Sequence, residues 1–214
     1  MPQVHRIKIL LATHNENKAR ELGPILGDKF DLLTLSGLTQ DLPVPAEDGE
    51  DFLANARIKA HYYAQRTGYP ALADDSGMEV AALDNRPGIY SARYGGEELN
   101  DEQRYRYLLN EMIGFTDRSA KFTAALVLAR PEGGDLCWIG ELHGQISLEP
   151  IGTEGFGYDP LFLLPSGLTL AQMTLAQKNE ISHRARAAEA MKADLVRIES
   201  FLADCADPCG PVRY

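Results

Sequence analysis

Apolar positions at the start of the chain change from a strand pattern to a helix pattern within a few residues. Residues 7–12, which read IKILLA, form a short apolar run typical of a β-strand. After a polar turn, apolar residues recur at helical spacing and predict a helix over 16–26. We therefore expect the chain to open with a strand, a polar turn and a helix.

Helical spacing returns three times further along the chain. One apolar stripe predicts a helix that ends at Thr67-Gly68, and its members are Phe52, Ala56, Ala60, Tyr63 and Ala64. Residues 100–112 and 182–202 also have helical patterns, and Ser182 is suited to cap the last helix. The segment 28–45 has no clear period and is expected to be irregular.

Strand patterns fill the intervening segments. Residues 70–73 predict a short strand, and the Asp-Asp-Ser-Gly sequence over 74–77 predicts a turn after it. Two long β-type runs, 120–130 and 136–147, are separated by turn residues and predict a hairpin. A shorter run over 161–164 predicts one more strand. Strand–helix units combined with a hairpin predict an α/β protein with a mixed sheet.

Length and charge limit the classes to which the protein can belong. A chain of 214 residues is expected to form one bilobed domain over 1–205, followed by a tail over 206–214. The net charge of −10 disfavours a nucleic-acid-binding protein, because such proteins usually carry a basic face. A phosphate site would therefore be built locally, from a few lysines, an arginine, backbone amides or a metal.

Cysteine usage and hydropathy indicate a compartment. The chain has three cysteines, Cys137, Cys205 and Cys209, an odd and low number that argues against a disulfide framework. Thiols of this kind are typical of a reducing cytosol. No stretch approaches the ~20 apolar residues that a membrane span needs. We expect a cytoplasmic protein that has no membrane partner.

A first candidate site lies where the first strand gives way to a helix. It has the sequence Thr13-His14-Asn15-Glu16-Asn17-Lys18. Exposed amides at the start of a helix bind anions, and Lys18 adds a positive charge, so that this segment suits a phosphate group. The alternative is an ordinary capped helix with an exposed lysine.

A second candidate site consists of Glu47, Asp74 and Asp75, followed by Ser76. Carboxylate oxygens suit Mg²⁺, which usually keeps some waters and also binds substrate phosphates. A carboxylate beside the metal can deprotonate an attacking water. The alternative is simple turn formation, since Asp, Ser and Gly all favour turns. Lys59 on the second helix is a further cation, which faces either the phosphates or water.

Two later segments carry groups that suit recognition of a purine. Phe156-Gly157-Tyr158-Asp159 places two rings around a glycine, where a base could stack; the alternative is a tight turn with its rings in the core. Lys178, His183 and Arg184 lie near the start of the last helix, where cations oppose the helix dipole. All three can donate hydrogen bonds to a purine 6-oxo group, and the alternative is a solvated helix end.

Taken in order, these segments resemble the inosine triphosphate pyrophosphatase family. The matching segments span nearly the whole chain and are LATHNENK (11–18), EDGEDFLANARIKA (47–60), ALADDSGMEV (71–80), PGIYSARYGG (87–96), GTEGFGYDPLF (152–162) and KNEISHRARA (178–187). The resemblance implies a long mixed sheet with flanking helices, and two lobes around a deep cleft. It also implies a homodimer that depends on Mg²⁺. Such an enzyme hydrolyses ITP, dITP and XTP to the monophosphate and pyrophosphate, which keeps deaminated purines out of DNA and RNA.

Carried over position by position, the resemblance implies a role for each candidate residue. The triphosphate would be held by Thr13, Asn15, Lys18 and Lys59, and Ser76 would contact a phosphate. The substrate-binding segment would also include His14, Glu16 and Asn17. Glu47 and Asp75 would bind Mg²⁺, and Asp75 would also activate the attacking water. The base and ribose would be enclosed by Phe156, Gly157, Tyr158, Asp159, Lys178, His183 and Arg184. Asp74 lies next to this site without an assigned role.

Two departures from the family and two alternative functions stay open at this point. His14 stands where glycine is frequent, and its side chain could crowd or extend the phosphate loop. Asp51 stands where Ser or Thr is common, and its charge could alter metal affinity at Glu47. A pyrophosphatase for modified pyrimidine nucleotides is one alternative, which the SHR and FGYDP segments disfavour. A nucleotide-binding module without catalysis is the other, which the presence of both Glu47 and Asp75 disfavours.

Overall fold

The computed structural model describes residues 6–38 and 42–203, which form a mixed β-sheet flanked by helices. The strands are β1 (Ile7–Leu11), β2 (Phe30–Thr34), β3 (Ala71–Val80), β4 (Ser119–Ala129), β5 (Asp135–Ile146) and β6 (Phe162–Leu163). The helices are α1 (Glu16–Leu26), α2 (Phe52–Thr67), α3 (Asp101–Glu111), α4 (Leu175–Ile181), α5 (His183–Ala193) and α6 (Leu195–Ala203). Cys205, Cys209 and the expected tail over 206–214 lie outside the described residues.

The sheet has both parallel and antiparallel pairs. Its strand order is β2-β1-β3-β4-β5-β6. β1 runs parallel to β2 and β3, whereas β5 runs antiparallel to β6. Parallel pairs require crossover connections, which α1 and α2 supply after β1 and β2. The mixed α/β architecture expected from the sequence is therefore confirmed.

The described residues divide into two compact units. Among the described residues, the first unit comprises 6–38, 42–75, 125–138 and 188–203, and the second comprises 76–124 and 139–187. Strands β3, β4 and β5 contribute residues to both units. None of the helices in the described ranges combines the length and the hydropathy of a membrane-spanning segment.

Each unit buries apolar side chains of its own. In the first unit, α1 buries its predicted stripe, and α2 buries every member of the stripe that the sequence predicted. The second unit has a core built on β3, β4 and β5, with the buried residues Met78, Val80, Leu83, Leu108, Met112, Ala120, Phe122, Leu142, Ile146, Tyr158, Leu161, Phe162, Leu164 and Leu170. Periodicity therefore located these buried helix faces correctly.

The prediction of a turn over 74–77 is wrong, because β3 runs without interruption from Ala71 to Val80. Asp74 and Asp75 are buried inside this strand, and an ammonium group faces each carboxylate. Such pairing offsets much of the cost of burying a charge. Ser91 also helps to hold β3 in place, since its hydroxyl accepts a hydrogen bond from the Met78 N–H at 2.9 Å.

Two other elements differ from their sequence patterns. Phe30–Thr34 forms β2 within a segment expected to be irregular, because it pairs in parallel with β1. The single helix expected over 182–202 is divided at Asp194 into α5 and α6. The Asp194 carboxylate accepts a hydrogen bond from the Trp138 indole at 3.2 Å, a partner 56 residues away that local periodicity does not reveal. Ser182 does cap α5, since its Oγ accepts from the Ala185 N–H at 3.1 Å.

Candidate functional site

The 13–18 segment joins β1 to the first turn of α1. Asn15 is the N-cap, and its Oδ1 accepts hydrogen bonds from the Asn17 and Lys18 N–H groups at 3.0 and 3.2 Å. Thr13 Oγ1 in turn accepts from the Asn15 N–H at 3.1 Å. These local bonds fix the turn, so that the strand-to-helix connection predicted from the sequence is confirmed. Glu16 is exposed, and the Asn17 side chain accepts from Arg20 at 2.9 Å.

His14 is bound to the neighbouring helix. Its Nε2 lies 2.9 Å from the hydroxyl of Tyr63, which is buried on α2. Burial raises the pKa of this phenol to about 12, so that Tyr63 is a neutral partner at physiological pH. The imidazole thus connects the 13–18 segment to α2, which is a structural role for a residue that departs from the family pattern.

Two lysines face the acidic residues of β3. Lys18 Nζ lies 3.1 Å from Asp74 Oδ2. Lys59 Nζ lies 2.8 Å from Asp75 Oδ1 and 3.3 Å from Glu47 Oε1. The structure therefore brings together, in the first unit, five of the charged residues that the sequence singled out.

Burial and neighbouring charges shift the pKa values of Asp75 and Lys59 in this cluster. Burial raises the pKa of the Asp75 carboxyl above its ordinary value, although Lys59 and Lys18 oppose the shift. Burial also opposes the charge on Lys59, but the attraction of Asp75 and Glu47 is stronger, so that the pKa of Lys59 is raised. Lys59 is therefore a cation at neutral pH, and Asp75 is a better proton acceptor than an exposed aspartate.

The arrangement of Glu47 and Asp75 suits a divalent cation that also binds phosphate. Both carboxylates lie within 3.3 Å of one ammonium nitrogen, which shows that they converge on a single positive charge. Mg²⁺ is usually held by one or two carboxylates together with waters and substrate phosphates. In the described part of the chain, no group of three or more His, Cys, Asp or Glu could hold a metal ion.

In the second unit, Asp159 and Lys178 form a buried ion pair. Lys178 Nζ lies 2.5 Å from Asp159 Oδ2, and their side chains are only 3% and 2% exposed. The same Oδ2 accepts from the Phe156 N–H at 2.9 Å. Gly155 has φ +77°, and a Cβ there would lie 2.0 Å from Asp159 Oδ2, so that only glycine permits this approach. The pair thereby fixes the turn that carries Phe156.

Cationic groups surround the ring of Phe156. Lys178 Nζ lies 4.8 Å from its centroid, and the Arg184 guanidinium carbon lies 5.9 Å away. Arg184 is 1% exposed and donates to Ser76 Oγ at 2.8 Å. His183 is also buried. The structure therefore places the cationic groups of Lys178 and Arg184 near the Phe156 ring, and it buries His183 in the same unit.

Tyr158 has a different environment from Phe156. Its ring is 5% exposed within the apolar core, and its hydroxyl donates to the Ser91 carbonyl at 3.0 Å. Stacking on a base is therefore available to Phe156 and not to Tyr158. The Gly157 N–H donates to Asp101 Oδ2 at 2.7 Å, so that α3 also holds this turn.

Asp51 and Asn55 help to position the acidic cluster, a role that the sequence patterns did not predict for either residue. Asp51 is the N-cap of α2, with Oδ1 accepting from the Ala54 N–H at 2.7 Å. Asn55 is fully buried, and its Oδ1 accepts from the Gly49 N–H at 2.8 Å, which holds the segment that carries Glu47. The position of Asp51 before a helical stripe was a usable signal, because Asp is a preferred N-cap.

The residues proposed for the site fall into two groups by unit. The first unit contains Thr13, His14, Asn15, Glu16, Asn17, Lys18, Glu47, Lys59 and Asp75. The second unit contains Ser76, Phe156, Gly157, Tyr158, Asp159, Lys178, His183 and Arg184. With the exception of Ser76, the residues that suit phosphates and metal thus lie in the first unit, and the residues that suit a base lie in the second.

Known proteins match this chain over most of its length. A model of the Ham1 family matches residues 9–194. A Geobacter sulfurreducens protein named dITP/XTP pyrophosphatase is 46% identical over 192 residues, which cover 88% of this chain and 96% of the relative. A Thermus thermophilus protein of the same name is 48% identical over 189 residues, which cover 86% and 90%. The solved structure of a HAM1 protein from Coxiella burnetii has a TM-score of 0.82 at 37% identity, and the match covers 89% of this chain and 99% of that one.

Proposed function

Because the chain belongs to the Ham1 family, we propose that it is a nucleoside triphosphate pyrophosphatase for deaminated purine nucleotides. Its substrates are dITP, XTP and ITP, and its products are the nucleoside monophosphate and pyrophosphate. The convergence of Glu47 and Asp75 on one cationic position is the observation that carries the proposal. The names of the relatives from Geobacter sulfurreducens and Thermus thermophilus support the choice of substrates.

In this proposal, the first unit binds the triphosphate. The 13–18 segment supplies backbone amides at a helix start, which suit a phosphate group. Lys18 and Lys59 neutralise part of the negative charge and stabilise the charge that develops on the leaving pyrophosphate. Asp75 accepts the proton of the attacking water, a role that its raised pKa favours.

Glu47 and Asp75 are the residues that would hold Mg²⁺ together with the phosphates. The metal supplies charge neutralisation and polarises the phosphate oxygens when it is bound. The donor set agrees with this choice, since carboxylate oxygens are hard ligands that Mg²⁺ prefers over nitrogen or sulfur ligands. Asn55 and Asp51 support this function by fixing the segment and the helix that carry Glu47 and Lys59.

The second unit selects the base. Phe156 offers a ring on which a purine can stack, and Lys178, His183 and Arg184 donate hydrogen bonds to a 6-oxo group. Adenine presents a 6-amino donor at this position, and an unpaired buried donor costs ~1–3 kcal/mol. Binding of ATP is therefore disfavoured. The same argument does not separate GTP from the substrates, since guanine also carries a 6-oxo group.

We also propose a setting for this activity. The enzyme works in the cytoplasm on the free nucleotide pool, as a homodimer, without a membrane or nucleic-acid partner. The net charge of −10 supports the last point, because it opposes attraction to a polyanion. Sedimentation equilibrium tests the assembly: twice the mass of one chain agrees with the proposal, and the mass of one chain contradicts it.

Product analysis tests the proposed reaction. The protein is incubated with dITP, XTP, ATP or GTP in Mg²⁺ or in excess chelator, and phosphorus NMR identifies the products. We expect dITP and XTP to give the monophosphate and pyrophosphate, and we expect the chelator to abolish turnover. Release of orthophosphate and the diphosphate would contradict the proposal. Binding of dITP without any turnover would support a non-catalytic module instead.

A further inference from the structure

A phenylalanine that has no role in the proposed reaction lies against the imidazole of His183. Phe122 is in β4, and its ring is stacked on that of His183, with centroids 4.7 Å apart and an interplanar angle of 11°. Both side chains are buried, and both belong to the second unit. The ring of Phe162 also packs near Phe122, with ring centroids 4.7 Å apart in a tilted arrangement. The nearly parallel stack on His183 shows that Phe122 presents a flat surface to the imidazole.

The backbone of His183 is held by a separate contact. A Cβ at Gly140 in β5 would lie 2.2 Å from the His183 carbonyl oxygen and 2.4 Å from the Ala187 nitrogen. The first turn of α5 thus lies directly on the backbone of β5. This close contact between β5 and α5 fixes the position of the His183 backbone. It does not fix the rotation of the imidazole about its last side-chain bond, because that rotation has a broad preference in histidine.

The orientation of the imidazole matters because its ring N–H groups lie in the plane of the ring. A hydrogen bond weakens steeply as the donor angle bends, so a tilted ring would donate poorly to a base. We propose that Phe122 is a positioning residue for base selection, because it holds the His183 ring in the plane from which it donates to the purine 6-oxo group. This inference rests on the proposed function, in which His183 contacts the base.

The proposal predicts an effect on selectivity as well as on activity. In Phe122→Leu, the flat surface is lost and the imidazole can tilt, so that kcat/KM for ITP falls. ATP offers no acceptor at the 6-position, and its kcat/KM should change little. We expect the ratio of the two kcat/KM values to fall about tenfold, which corresponds to the loss of one well-aligned hydrogen bond. A merely structural defect would lower both kcat/KM values and leave the ratio unchanged.

Two variants serve as controls for the loss of an aromatic ring. Phe162→Leu removes a buried ring from the same cluster but leaves the Phe122–His183 stack in place, so the ratio should stay at the wild-type value. Phe122→Tyr keeps an aromatic ring at this position, so the ratio of kcat/KM for ITP to kcat/KM for ATP should stay at the wild-type value. If Phe122→Leu does not fold, Phe122→Met replaces the ring with a flexible apolar side chain of similar volume.

A spectroscopic measurement on the wild-type protein tests the geometry without any variant. The stacked ring should shift the Cε1 proton of His183 upfield of that of His143, whose side chain is 70% exposed. A His183 proton at the position of an exposed histidine would overturn the proposal. So would a folded Phe122→Leu that keeps the wild-type ratio. If the wild-type protein itself fails to prefer ITP over ATP, the proposed base selection is what fails.

Discussion

The buried ion pair between Lys178 and Asp159 allows a quantitative test of how the second unit is stabilised. Asp159→Asn keeps an oxygen that can accept from the Phe156 N–H, but it removes the negative charge 2.5 Å from the ammonium nitrogen. At this separation and an effective dielectric constant of about 20, the attraction between unit charges is ~7 kcal/mol. Part of this attraction offsets desolvation, and removing one partner of a buried pair costs ~3–5 kcal/mol. We therefore expect Asp159→Asn to lose about 3 kcal/mol of unfolding free energy.

The chain contains a matched control for this variant. Arg106 and Glu102 also form a close pair, with N and O atoms 2.8 Å apart, but their side chains are 61% and 60% exposed. Glu102→Gln removes the same charge from a solvated pair and should cost ~0.5 kcal/mol or less. Urea unfolding followed by far-UV circular dichroism measures both variants. Equal losses in the two variants would refute the reasoning, because burial is the main difference between the pairs.

Three further substitutions test other parts of the account. Asp51→Ala should lower the unfolding free energy by about 1 kcal/mol through loss of the α2 cap, while Asp51→Ser should not, as measured by urea unfolding; equal losses would contradict the capping role. Tyr158→Phe should cost about 1 kcal/mol but leave kcat for ITP near the wild-type value, and a large fall in kcat would mean that the hydroxyl serves the reaction. Lys59→Met should slow pyrophosphate release from ITP by about 10²-fold in a coupled assay, and unchanged release would remove Lys59 from the phosphate-binding group.

Local patterns were sufficient to predict α1 and α2. Their apolar stripes repeat within a few residues, and the observed helices have the expected bounds. The start of β3 was predicted, but its continuation through Asp74 and Asp75 could not be, because the residues that make buried aspartates tolerable are distant. Lys18 is 56 residues from Asp74, and Lys59 is 16 residues from Asp75. The turn-forming residues over 74–77 therefore predicted a turn where the chain forms a strand.

For the candidate site, the sequence likewise predicted the residue types but not how they are arranged in space. The sequence contained the residue types that a triphosphate, a metal and a purine need, and the structure brings Glu47, Lys59 and Asp75 together. Their mutual arrangement depends on contacts such as Asn55 with Gly49, which no local pattern reveals. Asp51 was interpreted as an added charge near the metal, and the structure shows a further role, since its carboxylate caps α2. The effect of its charge on metal affinity stays a prediction.

In the proposed reaction, Asp75 activates water for attack on a deaminated purine nucleotide. Turnover and binding of dITP by the wild-type protein and Asp75→Asn in Mg²⁺ test it most directly, with binding measured by calorimetry on a non-hydrolysable analogue. Loss of a general base costs ~10²–10⁴-fold in rate, so we predict a fall of at least about 10²-fold in kcat with binding largely retained. Near wild-type kcat in Asp75→Asn would contradict the account.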